Sequence, residues 1–220
     1  MYKHRWSDGS EINLPIGKAV CIGRNYAEHA KELGNPVPST PLLFIKPATA
    51  LVPMEAPFSI PSGLGQVHHE AEIAMLITEK ITKGDPEATI RAIGGVAASL
   101  DLTLRDLQSE LKSKGHPWEK AKAFDGSCPI SRFQPIEHFP DLSDISVSLT
   151  INGSVRQQGN SVQMICPILK LVQNIVEFFT LLPGDVVLTG TPAGVSEICS
   201  GDEIEMTVGD RISVRSRVTQ

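Results

Sequence analysis

The segment His68-His69-Glu70-Ala71-Glu72 runs directly into the apolar stretch Ile73-Ala74-Met75-Leu76-Ile77. Read as a strand, it projects Glu70 and Glu72 from one face and Ala71, Ile73 and Met75 from the other. Neighbouring carboxylates on one face repel. The apolar run carries them toward a core, where unpaired charge is costly. A bound divalent cation resolves both conflicts; the alternative is an exposed edge strand with two solvated glutamates. Asp101 interrupts an otherwise apolar stretch from Ala97 to Leu102. It is either the cap of a helix beginning at Thr103 or a third oxygen ligand. Three carboxylates suit Mg2+ or Mn2+, which favour oxygen ligands in an octahedron, and leave the remaining positions to water and substrate. Such a site carries a net charge near −1, so a side-chain cation belongs beside it if an acidic substrate is to bind. A rival reading joins His68 and Glu70, an H-x-E spacing, to His116 downstream, as in the two-histidine, one-carboxylate triad of iron oxygenases. That reading leaves Glu72 and Asp101 without a role.

The elements around these residues are mostly short. Residues 1–15 read as an extended lead-in and the remainder as one domain. Lys18–Ile22 and Leu42–Ile45 are apolar strands, separated by a helix over Asn25–Leu33 that Gly34 ends and by a Pro-rich loop over residues 35–41. Residues 48–65, rich in Pro and Gly, are expected to wander over the surface. Val67–Thr78 reads as one long strand. Asp85-Pro86 opens a helix reaching about Gly94. A buried strand over Gly95–Leu102 and a helix over Thr103–Lys114 follow. Ile145–Ile151, the turn Asn152-Gly153 and the return strand Val155–Gln158 form a hairpin. Ser161–Phe179 is the longest helical pattern, with Pro167 near its first turns. Asp185–Leu188, Glu203–Val208 and Ile212–Val218 complete a mixed, strand-rich α/β domain. A dinucleotide-binding fold is disfavoured, since there is no regular βαβ alternation and no Gly-rich loop.

Composition narrows the class further. The 220 residues are 41% hydrophobic and 20% charged, with a net charge of −5, as in an ordinary soluble domain with a real core. The charges are mixed along the chain without a basic block, which argues against a nucleic-acid partner. No apolar run is long enough to cross a bilayer. The polar stretch Met1–Asp8 does not resemble a secretory signal. Four scattered cysteines, Cys21, Cys128, Cys166 and Cys199, fit thiols in a reducing compartment rather than a disulfide framework. The expected location is cytoplasmic.

Six motifs occur in order: Gly23-Arg24-Asn25-Tyr26-Ala27-Glu28-His29, Leu43-Phe44-Ile45-Lys46-Pro47, His69-Glu70-Ala71-Glu72, Leu100-Asp101-Leu102-Thr103-Leu104-Arg105-Asp106, Lys120-Ala121-Lys122-Ala123-Phe124-Asp125 and Gly190-Thr191-Pro192-Ala193-Gly194-Val195. Together they resemble the fumarylacetoacetate hydrolase (FAH) family, and within it the short acylpyruvase and oxaloacetate-processing branch, the FAH-domain-containing protein 1 type. The resemblance covers about residues 16–218. It implies a rolled β-sandwich or pseudo-barrel, usually a homodimer, in which Glu70, Glu72 and Asp101 hold Mg2+ or Mn2+. Fumarylacetoacetases proper carry a further acidic ligand upstream of the catalytic histidine. Cys21–Tyr26 contains no Asp or Glu, which argues against fumarylacetoacetate itself as substrate.

By spacing alone, His29 and Glu32 share one helix face and read as a surface pair. The resemblance makes their segment a lid over the metal, with Glu32 orienting His29 as a general base. Lys122, by pattern one surface lysine among several, becomes the cation that the acidic site needs. Arg105 and Gln108 become substrate contacts or supports for the carboxylates. Arg24, Lys46 and Thr191 are weaker candidates for contacts to a substrate carboxylate; His68 and His69 read as structural. The implied substrate is a small 2-oxo acid. The first expectation is hydrolysis of the C3–C4 bond of acylpyruvates. Decarboxylation or keto–enol tautomerisation of oxaloacetate at the same site is the alternative, because all three reactions place charge on the same oxygen. A metal-binding protein without turnover would have no use for a lid dyad.

Overall fold

All seven residues of the strand Ala71–Ile77 are buried, and the fold is built on both of its faces. Ala71, Ile73, Met75 and Ile77 enter the larger hydrophobic core, while Ala74 and Leu76 enter a second one. A strand covered on both sides reads as a continuous apolar run rather than an alternating one. The computed structural model describes residues 2–34, 36–82 and 85–220; Met1 and Asn35, where the expected lead-in and Pro-rich loop begin, lie outside them.

Ala71–Ile77 sits mid-sheet in the order Leu42–Lys46, Ala19–Gly23, Val186–Leu188, Ala71–Ile77, Ile93–Leu100, Cys128–Ile130, Leu51–Pro53, with Gln134–Pro135 also pairing with Ile93–Leu100. This sheet curls into a half-barrel. A second sheet runs Ser154–Asn160, Ser146–Ile151, Glu203–Val208, Ile212–Thr219, Phe58–Ser59. Its inward residues Leu149, Met206 and Val208 join the larger core with Leu171 and Ile175 of the helix Ile168–Phe178. A small third sheet joins Ser196–Glu197, Val67–His69 and Thr103–Leu104. The strand-rich mixed α/β class read from the sequence is the observed one.

Several local expectations hold for identifiable reasons. Asp85 caps the helix Pro86–Ala92 by accepting from the Ala88 N–H at 2.8 Å. Asn152 and Gly153 both take positive φ, 51° and 77°, as a two-residue hairpin turn requires. The helix Ala27–Glu32 stops before Gly34, at φ 63°.

Several elements differ, some of them at the site. The expected long strand breaks at Glu70: Val67–His69 belongs to the small sheet and Ala71–Ile77 to the main one. Glu70 therefore sits at a sheet junction, where its carbonyl accepts from the Asp101 N–H at 2.8 Å. Thr103–Leu104 is a strand, and the helix runs Arg105–Ser113 with Leu104 before its first turn; Asp101 is not a helix cap. The long helix over Ser161–Phe179 divides into a 3-10 turn, Ser161–Gln163, and the helix Ile168–Phe178, because Pro167 lacks an N–H and keeps the preceding residue out of helical conformation. The short helix Glu119–Lys122 was not expected, and the Pro/Gly-rich stretch contributes the strands Leu51–Pro53 and Phe58–Ser59.

The N-terminal residues pack back on the body. Trp6 pairs with Phe133, and His4 is fully buried with Nε2 3.0 Å from the Gly184 carbonyl. All four cysteines are free thiols. No helix among the described residues is long and apolar enough to cross a membrane.

Candidate active site

The sheet junction at Glu70 and the end of Ile93–Leu100 bring three acids together. Glu70, Glu72 and Asp101 are at least 95% buried, and one carboxylate oxygen from each lies within 4.8 Å of the others. Two buried cations, Lys46 and Lys122, and the half-buried Arg105 lie against them. Lys122 Nζ lies 2.8 Å from Glu70 Oε2, 2.7 Å from Asp101 Oδ2 and 2.6 Å from Thr103 Oγ1. Arg105 donates to Glu70 Oε1 at 2.5 Å and to Gln108 Oε1 at 2.7 Å. Lys46 is fully buried; its Nζ lies 2.8 Å from Asp101 Oδ1 and donates to the carbonyls of Lys122 and Ser127.

These contacts set the charge states. Burial alone would raise the Glu70 carboxyl, but Lys122 and Arg105 outweigh it and hold it well below the usual carboxylate range. Lys122 follows the same logic in reverse: burial works against its charge, while Asp101 and Glu70 raise its pKa above the ordinary lysine value. Glu72 has the weakest support. Burial, and then the charges of Asp101 and Glu70, push its carboxyl well up, and its one hydrogen bond among the described residues comes from the Gly190 N–H at 2.6 Å. Asp101 Oδ1 receives no properly aligned hydrogen bond despite its ion pair with Lys46. A buried acid set with an orphaned oxygen and one under-stabilised carboxyl fits a divalent cation, and an all-oxygen donor set suits Mg2+ or Mn2+. The oxygenase alternative fits poorly. His68 Nδ1 accepts from Arg105 Nε at 3.3 Å, which occupies its lone pair. His116 is exposed, and the one cluster of possible ligands among the described residues is the acid triad.

Over the acids lies a rim of less constrained residues. His29, on the helix Ala27–Glu32, is only 4% exposed, and burial lowers its pKa below the ordinary histidine value. Its Nδ1 lies 3.5 Å from Glu32 Oε2 without a hydrogen bond. Glu32 accepts from the Gly194 N–H at 3.0 Å. The segment Gly190–Gly194 thus joins the metal-side acid Glu72 to the rim acid Glu32 through backbone donors. Gly190 is required there: at φ 95°, a Cβ would meet Asn25 Cβ at 2.6 Å. Asn25 ties the rim to the body by donating to the carbonyls of Thr189 and Cys166 and accepting from the Cys166 N–H. Arg24 takes φ 61°, a left-handed conformation that costs a side-chain-bearing residue energy and is found mainly at sites where it serves a purpose.

The cavity between floor and rim is lined by Arg24, His29, Glu70, Glu72, Arg105, Gln108, Lys112, Lys122 and Thr191, with Phe44 and Trp118 as apolar walls. It is small, about 30 Å3, and partly open to solvent. Eight of the eleven residues singled out from the sequence line this cavity, and Glu32, Asp101 and Lys46 lie beside it. Lys46 is different: it lies behind Asp101, outside the lining, and balances charge where a substrate contact was expected. Lys122 is likewise committed to protein acceptors. Sequence reasoning did not single out Gly190, Asn25, Thr103, Phe44, Trp118 or Lys112. A signal was present for Lys112, seven positions after Arg105 and so on the same helix face.

Comparison with known proteins agrees with this geometry. The family model "Fumarylacetoacetate (FAA) hydrolase C-terminal" matches residues 18–219. An oxaloacetate tautomerase of Escherichia coli is 49% identical over 99% of this chain and 100% of its own. A mitochondrial oxaloacetate tautomerase of Homo sapiens is 40% identical over 90% of each chain, and a mitochondrial oxaloacetate decarboxylase of Dictyostelium discoideum is 40% identical over 86% and 87%. Among solved structures, a Yersinia pestis protein assigned to the fumarylacetoacetate hydrolase family superposes with a TM-score of 0.96 at 49% identity, covering 99% of this chain and 100% of that one. A fumarylpyruvate hydrolase of Pseudomonas aeruginosa, solved with Mn2+ and pyruvate, superposes at 0.91 with 34% identity, covering 99% and 95%. Motifs, acid cluster and fold converge: this chain is an enzyme of the fumarylacetoacetate hydrolase family.

Proposed function

We propose that the protein is a Mg2+- or Mn2+-dependent oxaloacetate keto–enol tautomerase, with oxaloacetate decarboxylation accessible at the same site. The observation that carries this reading is the charge balance. Three buried carboxylates are matched by three paired cations, Lys46, Lys122 and Arg105. With Glu72 ionised, the side chains sum to zero rather than to the deficit expected from the acids alone. A bound divalent cation then leaves a surplus of two positive charges, which complements a dianion such as oxaloacetate better than a monoanion such as acetylpyruvate. Arg24 and Lys112 add positive charge on the rim, where the distal carboxylate of a four-carbon diacid would lie. The similarity to oxaloacetate tautomerases over nearly the whole chain supports the same substrate.

A divalent cation on Glu70, Glu72 and Asp101 would supply a Lewis acid that favours the enolate of the 2-oxo acid. Arg105, fixed by Glu70 and Gln108, presents its guanidinium edge to the substrate carboxylate. His29, kept neutral by burial, removes a proton from C3, and the same proton is delivered to the 2-oxo oxygen to give the enol. Glu32 orients the imidazole and stabilises it while it carries the proton. Closure of the Ala27–Glu32 rim excludes water, which keeps the enol from side reactions. Hydrolysis of 2,4-dioxo acids, the first expectation from the motifs, is the second reading. It would use His29 and Glu32 to activate a water, and the likeness to a fumarylpyruvate hydrolase favours it.

Chelator-stripped protein, given oxaloacetate or acetylpyruvate with and without Mg2+ or Mn2+, separates these readings. The expected result is metal-dependent keto–enol interconversion of oxaloacetate by ultraviolet absorbance, faster than pyruvate release, with little acetate formed from acetylpyruvate. Metal-dependent acetate and pyruvate from acetylpyruvate, with oxaloacetate interconverting at its uncatalysed rate, would reverse the assignment.

A further inference from the structure

Gln157 lies on the second sheet, in Ser154–Asn160, yet its amide is fully engaged with the active-site strands. It is 2% exposed while its neighbours Arg156 and Gln158 are exposed. A register shift explains the inward turn: Leu149 pairs with Gln157 and Thr150 with Val155, so Arg156 is an extra residue. Without that bulge Gln157 would face solvent, and bulges commonly re-aim a side chain beside an active site. The loop after Thr191 is pressed against the same strand. A Cβ on Gly159 would meet Pro192 Cβ at 2.7 Å, and one on Gly194 would meet the Arg156 carbonyl oxygen at 2.1 Å.

The hydrogen bonds of Gln157 have a determined direction. The Ala71 N–H, which can only donate, reaches Gln157 Oε1 at 2.9 Å and so fixes which end of the amide is oxygen. His69 Nδ1 lies 2.8 Å from the same oxygen and must carry the ring proton, which leaves its Nε2 to accept from Ser196 Oγ at 2.8 Å. The amide nitrogen of Gln157 donates to the Pro192 carbonyl at 2.8 Å and to Thr191 Oγ1 at 2.8 Å. The Thr191 hydroxyl is therefore an acceptor toward Gln157, and its own hydrogen points elsewhere. Among the described residues its one acceptor is the Pro192 carbonyl at 3.5 Å, beyond a normal O–H···O length.

We propose that Gln157 is a positioning residue: it polarises the Thr191 hydroxyl so that Thr191 donates its hydrogen to an oxygen of the bound oxo acid. This rests on the reading of Thr191, which lines the cavity, as a substrate contact. The chain Ser196–His69–Gln157–Thr191 thereby sets the polarity of one wall of the pocket from a sheet that holds none of the acids.

The test is a double-mutant cycle on oxaloacetate interconversion, with Mn2+ affinity and melting temperature measured for each variant. Thr191→Val should lower kcat/KM about tenfold, as for a hydrogen bond to a charged ligand, and Thr191→Ser should restore it. Gln157→Met should match Thr191→Val, the double variant should be no worse than either, and Mn2+ affinity should stay that of the wild type. Losses that multiply, wild-type kinetics in Gln157→Met, or a loss of Mn2+ affinity that accounts for its defect would each overturn the proposal. If Gln157→Met does not fold, Gln157→Glu keeps the shape and the acceptor for Ala71. Its ionised carboxylate would draw the Thr191 hydrogen away from the cavity, so full activity there would also overturn the proposal. A silent Thr191→Val would refute the underlying substrate contact. A Thr191→Val defect confined to acetylpyruvate would refute oxaloacetate as substrate and leave the positioning role intact.

Discussion

The floor and the rim of the cavity are built on opposite terms. On the floor, Glu70, Asp101, Lys46, Lys122 and Arg105 are buried or nearly so, and each has at least one charged partner within 2.8 Å. Glu70 and Asp101 sit beside buried strands at the sheet junction, Lys46 ends the strand Leu42–Lys46, and Arg105 and Lys122 lie on the helices Arg105–Ser113 and Glu119–Lys122. On the rim, among the described residues, His29 Nδ1 has no hydrogen bond, Glu32 is held by one backbone N–H, and Arg24 keeps a strained backbone. A fixed array of charges stabilises developing charge without reorganising during the reaction. A loosely held rim can open for substrate and close over it. On the function proposed above, the two regions divide the labour: the floor would stabilise the enolate, and the rim would decide which proton moves or which water attacks.

The largest expected effect is on the floor. Asp101→Ala should abolish activity and divalent-metal binding, and should destabilise the fold by about 3–5 kcal/mol because Lys46 and Lys122 lose a buried counter-charge. Calorimetric titration with Mn2+ and denaturant unfolding test both. Turnover at the wild-type rate would break the comparison, since the floor would then be dispensable. On the rim, His29→Ala should retain metal affinity while tautomerisation falls about 10²–10⁴-fold, the usual worth of a positioned acid–base group. Decarboxylation, which needs no proton abstracted from C3, should fall less. Equal losses in both would mean that His29 serves to close the rim. Arg24→Ala and Lys112→Ala should each raise KM for oxaloacetate about tenfold and change little for acetylpyruvate. Equal changes with both substrates would remove the rim from distal-carboxylate recognition.

The smallest effect lies outside both regions. Burial depresses His4 below its ordinary value of 6.5, against the raising effect of its hydrogen bond to Gly184. The unfolded chain therefore takes up the proton first, and stability falls as pH drops below about 6.5, levelling off once the folded form also protonates. Melting temperatures between about pH 8 and pH 5 should decline more steeply in the wild type than in His4→Gln, with activity at neutral pH alike in the two. Parallel declines would show that His4 does not contribute.

How much was legible in advance follows the reach of the interactions. The hairpin at Asn152-Gly153, the cap at Asp85 and the chain stop at Gly34 could be read because turns and caps depend on a few adjacent residues. The acid triad could be read in part, because two carboxylates beside an apolar run are locally inconsistent without a cation. Lys46 was misplaced among substrate contacts because nothing near it in sequence shows that Asp101 lies 2.8 Å from its amine. Gln157 gave no signal at all, since one bulged residue decides whether it faces water or the site.

The sequence by itself determined the chemistry available: the acids, the candidate base, the cations and the ordered motifs that mark the family. Only the tertiary structure decided the charge state of that chemistry. Glu70 lies at a junction of two sheets, and three cations converge on the acids from positions 46, 105 and 122, separations over which sequence carries no distance information. Electrostatic energy depends on separation and burial in space, so whether the site is poised for a monoanion or a dianion emerges only once the chain has folded.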